Sequence, residues 1–471
     1  MNKDCEPFIH MFETHGGRYI YDVNRNSILS LSEEVYNLLK NNEMDHKEIK
    51  SLKEKGFLSS KRVTEIIHPE DHLIEYHLDN KIGMLTIQVT QACNLRCRYC
   101  PYSGGYNNRK HSNQKMSLDM AKKGINFLWE HSIDCEEVNI GFYGGEPTIE
   151  FNLIKDCVEY SKEKFEGKNV RFSITTNGTI ITNDMMEFFC KNDFVIMISL
   201  DGPKEIHDKN RVFADESGSF EVVMSNLAKI KREFPEYFHK ILFNVVADPN
   251  NDYNCTSNFL SGNEVIKDSI INSSELNVFY KKKELDASED FFIKREYELF
   301  KHYLSKFNRF DSKKVSPLVT SKYNYLEKIY NEQLKLTQNI PEEYHHGGPC
   351  IPGAQRLFMS VDGTFYPCEK VSEESEVARI GHVETGIDIE KARALLNIGR
   401  LTENNCRNCW AIRYCSLCLV ACDNLNELSG TQKLQYCKAV KADVEDKFKD
   451  ICALMDIGLE FSKDNLEVKI G

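Results

Sequence analysis

Along the middle of the chain, short apolar runs that alternate with polar residues give way repeatedly to stretches with helical spacing. In Met84–Thr90, Leu85, Ile87 and Val89 alternate with Thr86, Gln88 and Thr90, the period of a strand with one buried face. A helix follows over 117–131, with Ser117 as N-cap and Leu118, Ala121, Ile125 and Leu128 on one side. Further strands are predicted at 138–143, 170–176, 194–200 and 241–247, a sixth at 276–280, and helices over 153–165, 184–190 and 220–230. Repeated strand-helix units predict a parallel sheet with right-handed crossovers, and six of them suit a partial barrel.

The two flanks are patterned differently. Runs at 8–14 and 18–23 surround Gly16-Gly17, a hairpin signal, and a third strand is predicted at 27–31. A helix begins near Ser32 with Val35, Leu38 and Leu39, and a second over 46–55 stops at Gly56. Three strands and two or three helices predict a small, separate, winged-helix-like module over 6–57. Residues 58–82, mixed and charged, are expected to be a linker. Beyond the barrel, Phe292, Leu299, Phe300, Tyr303, Leu304 and Phe307 mark one amphipathic helix, and Leu326, Ile329, Tyr330 and Gln333 a second. They are expected to bridge domains. Lys281 to Lys283 is expected on a solvated face.

Composition narrows the function classes. The 471 residues suggest about three domains at roughly 150 residues each. A net charge of -12, from 60 Lys plus Arg against 72 Asp plus Glu, excludes phosphate-tracking nucleic-acid binding as the main task. The start, MNKDCEPFIH, lacks a basic region followed by an apolar one, and nowhere do about 18 apolar residues run together. Neither secretion nor a membrane span is expected, and the cytoplasm is the expected compartment. Thiols stay reduced there, so 17 cysteines point to metal or cluster ligands rather than disulfides.

The densest chemistry follows the strand at Met84–Thr90. Residues 93–100 read CNLRCRYC, on the loop at a strand's C-terminal end, where α/β folds carry their sites. Cys93, Cys97 and Cys100 can each hold one iron of a cubic cluster and leave the fourth iron open to a small molecule. A zinc site short of one ligand is the other reading. The spacing resembles the cluster motif of the radical S-adenosylmethionine enzymes, with Tyr99 where that family carries an aromatic residue. The resemblance implies a 4Fe-4S cluster, S-adenosylmethionine bound through its amino and carboxylate groups to the open iron, and a 5'-deoxyadenosyl radical as product. Later strand ends extend it. Gly144, Gly145, Glu146 and Pro147 match the family's GGEP motif, which implies a contact with the amino group. By the same resemblance Asn177, Ser199 and Asp201 are carried over to ribose contacts, and Arg211 to the methionyl carboxylate.

A second cysteine field begins at Cys350. Cys368 lies beyond a hairpin turn at Asp362-Gly363, and Cys406, Cys409, Cys415, Cys418, Cys422 and Cys437 follow. Zinc knuckles also use Cys-x2-Cys pairs. The order of a first cysteine, a Gly-x4-Cys hairpin and a Cys-x2-Cys-x5-Cys run resembles the SPASM extension of radical enzymes, which implies auxiliary 4Fe-4S clusters. By position Cys406, Cys409, Cys415 and Cys437 go to an outer cluster, and Cys350, Cys368 and either Cys418 or Cys422 to an inner one. Sulfatase maturases of this group carry a further inner ligand where this chain has Arg356, and an aspartate base where it has Glu369. Glu369 is the candidate base. With three inner ligands, a substrate thiolate can bind the vacant iron. His345 and His346 can also be ligands, but a solvated loop is expected. Cys5, Cys135, Cys157, Cys190, Cys255 and Cys452 are isolated and expected as small buried hydrophobes.

The expected architecture is therefore α/β. A winged-helix-like recognition module with its linker occupies 1–80, a partial (β/α)6 TIM-like barrel 81–285, a helical bridge 286–345 and a SPASM domain with two auxiliary clusters 346–471. This layout resembles peptide maturases of the sactipeptide and ranthipeptide group. The resemblance implies thioether crosslinks in a ribosomally made, cysteine-rich precursor peptide. The leader of that peptide would add as a strand to the N-terminal module, and a flavodoxin- or ferredoxin-type protein would be the reductant. Carbon-carbon crosslinking, epimerisation and formylglycine formation are the rival activities within the class, and a zinc-binding module is the rival outside it.

Overall fold

The computed structural model describes residues 6–102, 104–283 and 287–459. Strands β1 (Ile9–Glu13), β2 (Arg18–Asp22) and β3 (Ser27–Leu31) form an antiparallel sheet in that order. Helices Glu33–Lys40, capped by Ser32, and Lys47–Glu54 follow, and Gly56 turns the chain at φ +83°. Ile20, Leu29 and Leu31 pack on Leu39, Ile49 and Leu52 beneath these helices. The opposite face was not expected to be covered. There Phe12, Tyr19 and Tyr21 pack with Val444, Phe448 and Cys452 of the C-terminal helix Cys437–Asp456. The module is not separate, because both faces of its sheet are apolar.

The central strands are β4 (Met84–Thr90), β5 (Glu137–Gly144), β6 (Asn169–Thr176), β7 (Val195–Ser199), β8 (Leu242–Ala247) and β9 (Ile270–Glu275). Each runs parallel to the next. Helices Leu118–Glu130, Phe151–Lys164, Asn183–Lys191, Phe220–Glu233 and Tyr253–Gly262 make the crossovers. Leu85, Ile87 and Val89 are buried together with Ile125, Leu128, Ile140 and Phe172. This is the mixed α/β, partial-barrel arrangement that the alternation predicts.

The sixth strand is at Ile270–Glu275, not at 276–280. It lies at the sheet edge with every residue at least partly exposed, so its sequence carries little apolar alternation. The stretch at 276–280 is instead a strap. Asn107 N–H donates to Tyr280 O at 2.7 Å, and the Tyr280 hydroxyl donates to Asp423 Oδ2 at 2.7 Å.

The sheet also continues where a domain boundary was expected. β10 (Leu357–Met359) pairs in parallel with β4, Leu357 opposite Leu85. β11 (Thr364–Tyr366), β12 (Gly381–His382) and β13 (Gly386–Ile387) extend it antiparallel to the order β13-β12-β11-β10-β4-β5-β6-β7-β8-β9. The expected linker contains a helix, Ile74–Asn80, whose Ile74 and Leu78 are buried against Ile351, Ala392 and Leu396. Two apolar residues one turn apart were hidden among charges.

Helices Glu289–Lys306 and Thr320–Lys328, the second running into a turn of π-helix at Ile329–Gln333, stand where the amphipathic pattern puts them. The buried side of the first is formed by Phe291, Leu299 and His302, while Phe292 and Phe300 are exposed. Lys282 and Lys283 are exposed as expected. Among the described residues no helix is long and apolar enough to cross a membrane.

Candidate functional site

β4 and β5 end side by side, and the loops that leave them lie against each other. The amides of Gly145 and Glu146 donate to Thr90 O and Ala92 O, both at 2.9 Å. Gly144 has φ +136°, and a Cβ on it would stand 2.2 Å from Thr90 O; one on Gly145 would stand 2.0 Å from Ala92 O. Only residues without a side chain allow this approach. The consequence is a cysteine loop with a fixed start.

Glu146 is buried and accepts from Thr148 N at 3.1 Å and from Thr148 Oγ1, Thr176 Oγ1 and Asn177 N, each at 2.7 Å. Burial raises its pKa and these donors oppose the rise. Its carboxylate thus ties the end of β5 to the end of β6, and an ammonium group would have to share it. From β6, Asn177 Nδ2 donates to Asn94 Oδ1 at 2.9 Å and reaches Cys93 Sγ at 3.9 Å.

The far side of the loop is held by main chain. Arg96 N–H donates to Val212 O at 2.7 Å and Arg98 N–H to Asn210 O at 2.9 Å. Between those acceptors stands Arg211, whose Nη1 donates to the Tyr99 hydroxyl at 2.7 Å; Tyr99 donates in turn to Asp201, which also accepts from Val246 N at 3.2 Å. Ser199 ends β7 on the same rim. The structure therefore brings Cys93, Cys97, Cys100, Tyr99, Gly144, Gly145, Glu146, Asn177, Asp201 and Arg211 into one connected site.

Burial pushes the Cys93 thiol up to about 12, and the neighbouring Glu146, Cys97 and Cys100 add to the rise. Cys97 is pushed up to about 11 by burial, and Arg211 works against it. Arg211 Nε is buried with no hydrogen-bond partner. A buried donor without an acceptor is costly. Three thiols with such a donor beside them fit a cluster that carries a bound amino acid, the carboxylate of which would take the open N–H.

Sequence reasoning missed the neighbouring network. Arg109 Nε donates to Glu373 Oε1 at 2.8 Å and Gln88 Nε2 to the same oxygen at 2.7 Å; the Arg109 guanidinium lies 3.7 Å from the Tyr102 ring centroid, and its Nη2 is buried without a partner. Gln88, a polar side chain at a fully buried position of β4, was the available signal. Tyr143 at the end of β5 interacts electrostatically with Cys100, Arg109, Glu373 and Glu369. It connects the first cysteine loop to the second field.

In that field the thiols sort into two groups. Besides burial, Cys418 raises the Cys350 thiol, and Cys350 and Cys418 both raise Cys368. In the same way Cys406 and Cys437 raise the Cys409 thiol, Cys406 raises Cys437, and Cys406 and Cys409 raise Cys415. Cys422 is fully buried, and its Sγ donates to Leu419 O at 3.2 Å. Of the two alternatives, Cys418 acts on the Cys350 and Cys368 thiols, and Cys422 is acted on by Cys418. Arg356 and Glu369, the two departures from the sulfatase-maturase pattern, meet each other: Arg356 Nη1 donates to Glu369 Oε1 at 2.6 Å, and Glu369 Oε2 is buried without a partner beside Cys368.

His345 and His346 are not solvated but buried, each 2% exposed. His345 Nδ1 is 2.8 Å from His346 O and its Nε2 accepts from Gly399 N at 2.8 Å; His346 Nε2 is 2.9 Å from Leu417 O. These bonds tie the entry of the field to the segment before Cys418. Of the isolated cysteines, Cys157 and Cys452 are buried, Cys135 and Cys190 half-buried, and Cys255 exposed at the start of a helix; Cys5 lies outside the described residues. All described cysteines are free, and among the described residues no three His, Cys, Asp or Glu side chains close to the spacing of a single metal ion.

Comparison with known proteins agrees with this geometry. A model of the Radical SAM superfamily matches residues 87–253. A cysteine-type anaerobic sulfatase-maturating enzyme of Clostridium novyi is 37% identical over 164 residues, 33% of this chain and 42% of that one. The chain therefore spans about two fifths of that relative's length. The radical SAM cyclopropyl synthase TigE of Paramaledivibacter caminithermalis is 24% identical over 452 residues, 89% of this chain and 88% of the relative. Among solved structures, native anSMEcpe with bound AdoMet superposes with a TM-score of 0.59 at 18% identity, covering 80% of this chain and all of that one.

Proposed function

Starting from a chain that carries a radical S-adenosylmethionine domain over residues 87–253, we propose a peptide maturase that joins cysteine sulfur to carbon within a ribosomally made, cysteine-rich precursor. Such a domain works with a 4Fe-4S cluster and S-adenosylmethionine, which together supply a one-electron cleavage and a carbon radical able to take hydrogen from the peptide. Cys93, Cys97 and Cys100 would hold the cluster. Arg211 would receive the methionyl carboxylate, and Asn177, Ser199 and Asp201 would face the ribose.

The observation that carries the finer reading is the pairing of Arg356 with Glu369 at 2.6 Å beside Cys350, Cys368 and Cys418. A guanidinium where the sulfatase maturases have a thiol leaves three inner ligands, and a thiol of the peptide can complete the set. Glu369 Oε2, buried and unpartnered, can take the proton that this thiol must lose. Each crosslink removes two hydrogens. One leaves with the adenosyl fragment, and the remaining electron needs an acceptor, the role proposed for the inner and outer auxiliary clusters. The leader of the precursor would add to β1 or β3, the outer strands of the N-terminal sheet. A flavodoxin- or ferredoxin-type protein would exchange electrons with the clusters in a reducing cytoplasm.

A second reading, carbon-carbon bond formation, is favoured by the match to a relative named a cyclopropyl synthase over 88% of its length. One experiment separates the two. The reduced, reconstituted chain is given S-adenosylmethionine and the cysteine-rich peptide encoded beside its gene, and the product is alkylated at thiols and weighed. Loss of hydrogen pairs with equal loss of alkylatable thiols is the expected result. Hydrogen loss with every thiol still free would replace the thioether reading by the carbon-carbon one.

A further inference from the structure

Lys433 is 1% exposed, in a place where an ammonium group is costly unless it is paired and hydrogen-bonded. It comes from the short helix Gly430–Gln435, capped by Ser429. A Cβ on Gly430 would stand 2.6 Å from Leu401 O, so the glycine lets this helix lie directly on the chain at 401–402. From there Lys433 Nζ donates to Thr402 Oγ1 at 3.1 Å, Ile398 O at 3.3 Å and Cys406 Sγ at 3.7 Å. Thr402 Oγ1 is itself 3.3 Å from Cys406 Sγ. Three acceptors match the three N–H groups of an ammonium. None of them is a carboxylate, so the counter-charge has to come from the thiol side.

The two cysteine groups differ in the charges that face them. Cys415 and Cys437 sense Lys433, and Cys409 and Cys437 sense Lys441. Cys350 and Cys368 face the Glu369 carboxylate, with Arg356 opposing it at Cys350 and Lys370 near Cys418. The outer group meets cations, whereas the inner one meets a mixture. Hydrogen bonds to cluster sulfurs and nearby positive charge stabilise the reduced state of an iron-sulfur cluster.

On the reading that both groups hold clusters, we infer that Lys433 raises the reduction potential of the outer cluster above that of the inner one and so gives electron flow a direction. In each turnover one S–H and one C–H bond break and one S–C bond forms. One hydrogen atom leaves with the adenosyl fragment and one proton goes to solvent. The remaining electron needs an acceptor: Cys350, Cys368 and Cys418 would hold the inner cluster and Cys406, Cys409, Cys415 and Cys437 the outer one, which together would supply one-electron acceptance on the way to an oxidised flavodoxin- or ferredoxin-type carrier. Lys433 acts through Cys406 and is a positioning residue for the electron, not a catalytic one.

The test is an anaerobic redox titration followed by electron paramagnetic resonance. It uses full-length chain in which Cys93, Cys97 and Cys100 are alanine, so that only the C-terminal signals remain. Lys433→Met should lower the outer midpoint by about 59 mV or more, a tenfold smaller reduced-to-oxidised ratio at fixed poise, and leave the inner one in place. Lys433→Arg, which keeps the charge, should restore it. An unchanged outer midpoint in Lys433→Met at full iron content overturns the inference while the cluster reading stands. Iron and sulfide sufficient for only one C-terminal cluster in the parent overturns both. Should Lys433→Met lose the cluster, Lys433→Gln, which keeps a buried donor and drops the charge, must lower the midpoint at full iron content; no shift there overturns the inference.

Discussion

Cys93, Cys97 and Cys100 lie on one loop and are placed by main chain: amides of Gly145 and Glu146 on one side, carbonyls of Asn210 and Val212 on the other. The C-terminal thiols come from positions 350 to 437 and are placed by separate elements: the hairpin of β10 and β11, isolated helical turns, the start of the helix Cys437–Asp456, and buried histidines tied to backbone carbonyls. The first arrangement is local in sequence and rigid, because the ends of four parallel strands surround it. The second is distributed, so each thiol depends on a different stretch of chain folding correctly. Damage to the first should remove all chemistry, and damage to the second should uncouple one step from another.

The sharpest break of that contrast is to remove the thiols of one region at a time. With Cys93, Cys97 and Cys100 changed to alanine, cleavage of S-adenosylmethionine should fall to background, because these three thiols would hold the cluster that drives it. With Cys350, Cys368 and Cys418 changed instead, cleavage should continue while the peptide stays unmodified. Chromatography of 5'-deoxyadenosine beside mass spectrometry of the peptide reads both. If the second variant also fails to cleave, the two regions form a single unit and the contrast fails.

A smaller perturbation tests how rigid the first loop is. Gly145→Ala brings a methyl group to 2.0 Å from Ala92 O, and a backbone oxygen cannot move aside as a side-chain end can. Overpacking of this kind costs about 1–3 kcal/mol. Displacing the loop by about 1 Å should slow S-adenosylmethionine cleavage by about 100-fold. Thermal melting and the cleavage rate are the measurements; a variant with parental rate would mean that the two loops are not locked together.

How much of this was legible in the sequence follows the same division. The strand-end site could be read because β4 alternates cleanly, its cysteines are consecutive, and Gly144-Gly145-Glu146 sits at the next strand end. The burial of Glu146 under four protein donors could not, since two of those donors come from about 30 positions away, at Thr176 and Asn177. Around the second field the resemblance to the SPASM extension suggested which cysteines belong together and left Cys418 and Cys422 as alternatives. The parallel pairing of β10 with β4 could not, because a three-residue strand carries no period. His345 and His346 were expected in solvent since polarity argues for exposure, yet the His346 and Leu417 carbonyls and the Gly399 amide meet three of their four ring nitrogens inside, and His346 Nδ1 is buried without a partner. The sixth strand was misplaced for the converse reason: an exposed edge strand needs no apolar alternation, whereas the strap at 276–280 shows it.

Glu369→Gln probes the distributed region at one atom. The amide keeps a hydrogen-bond acceptor for Arg356 but cannot take a proton at the buried, unpartnered position of Oε2. Loss of a general base costs about 100-fold or more, so crosslinking should fall by about that factor while S-adenosylmethionine cleavage continues. Crosslinking at the parental rate would remove Glu369 from the proton path.

Cys422 marks the boundary between a ligand and a packing residue within the second region. It lies four positions from Cys418, close enough that spacing alone did not separate them. Its Sγ is fully buried and donates to Leu419 O at 3.2 Å, and burial holds its thiol up at about 12. A thiol used in this way stabilises the short helix Leu419–Ala421, and we propose Cys422 as a packing residue and Cys418 as the ligand. Cys422→Ala should therefore keep the iron content and the crosslinking activity of the parent and lose about 1 kcal/mol of stability, the order expected for one buried hydrogen bond. Iron analysis with chemical denaturation decides it. Loss of one cluster's iron from Cys422→Ala, with retention in Cys418→Ala, would exchange the two residues and move the inner group away from Arg356 and Glu369.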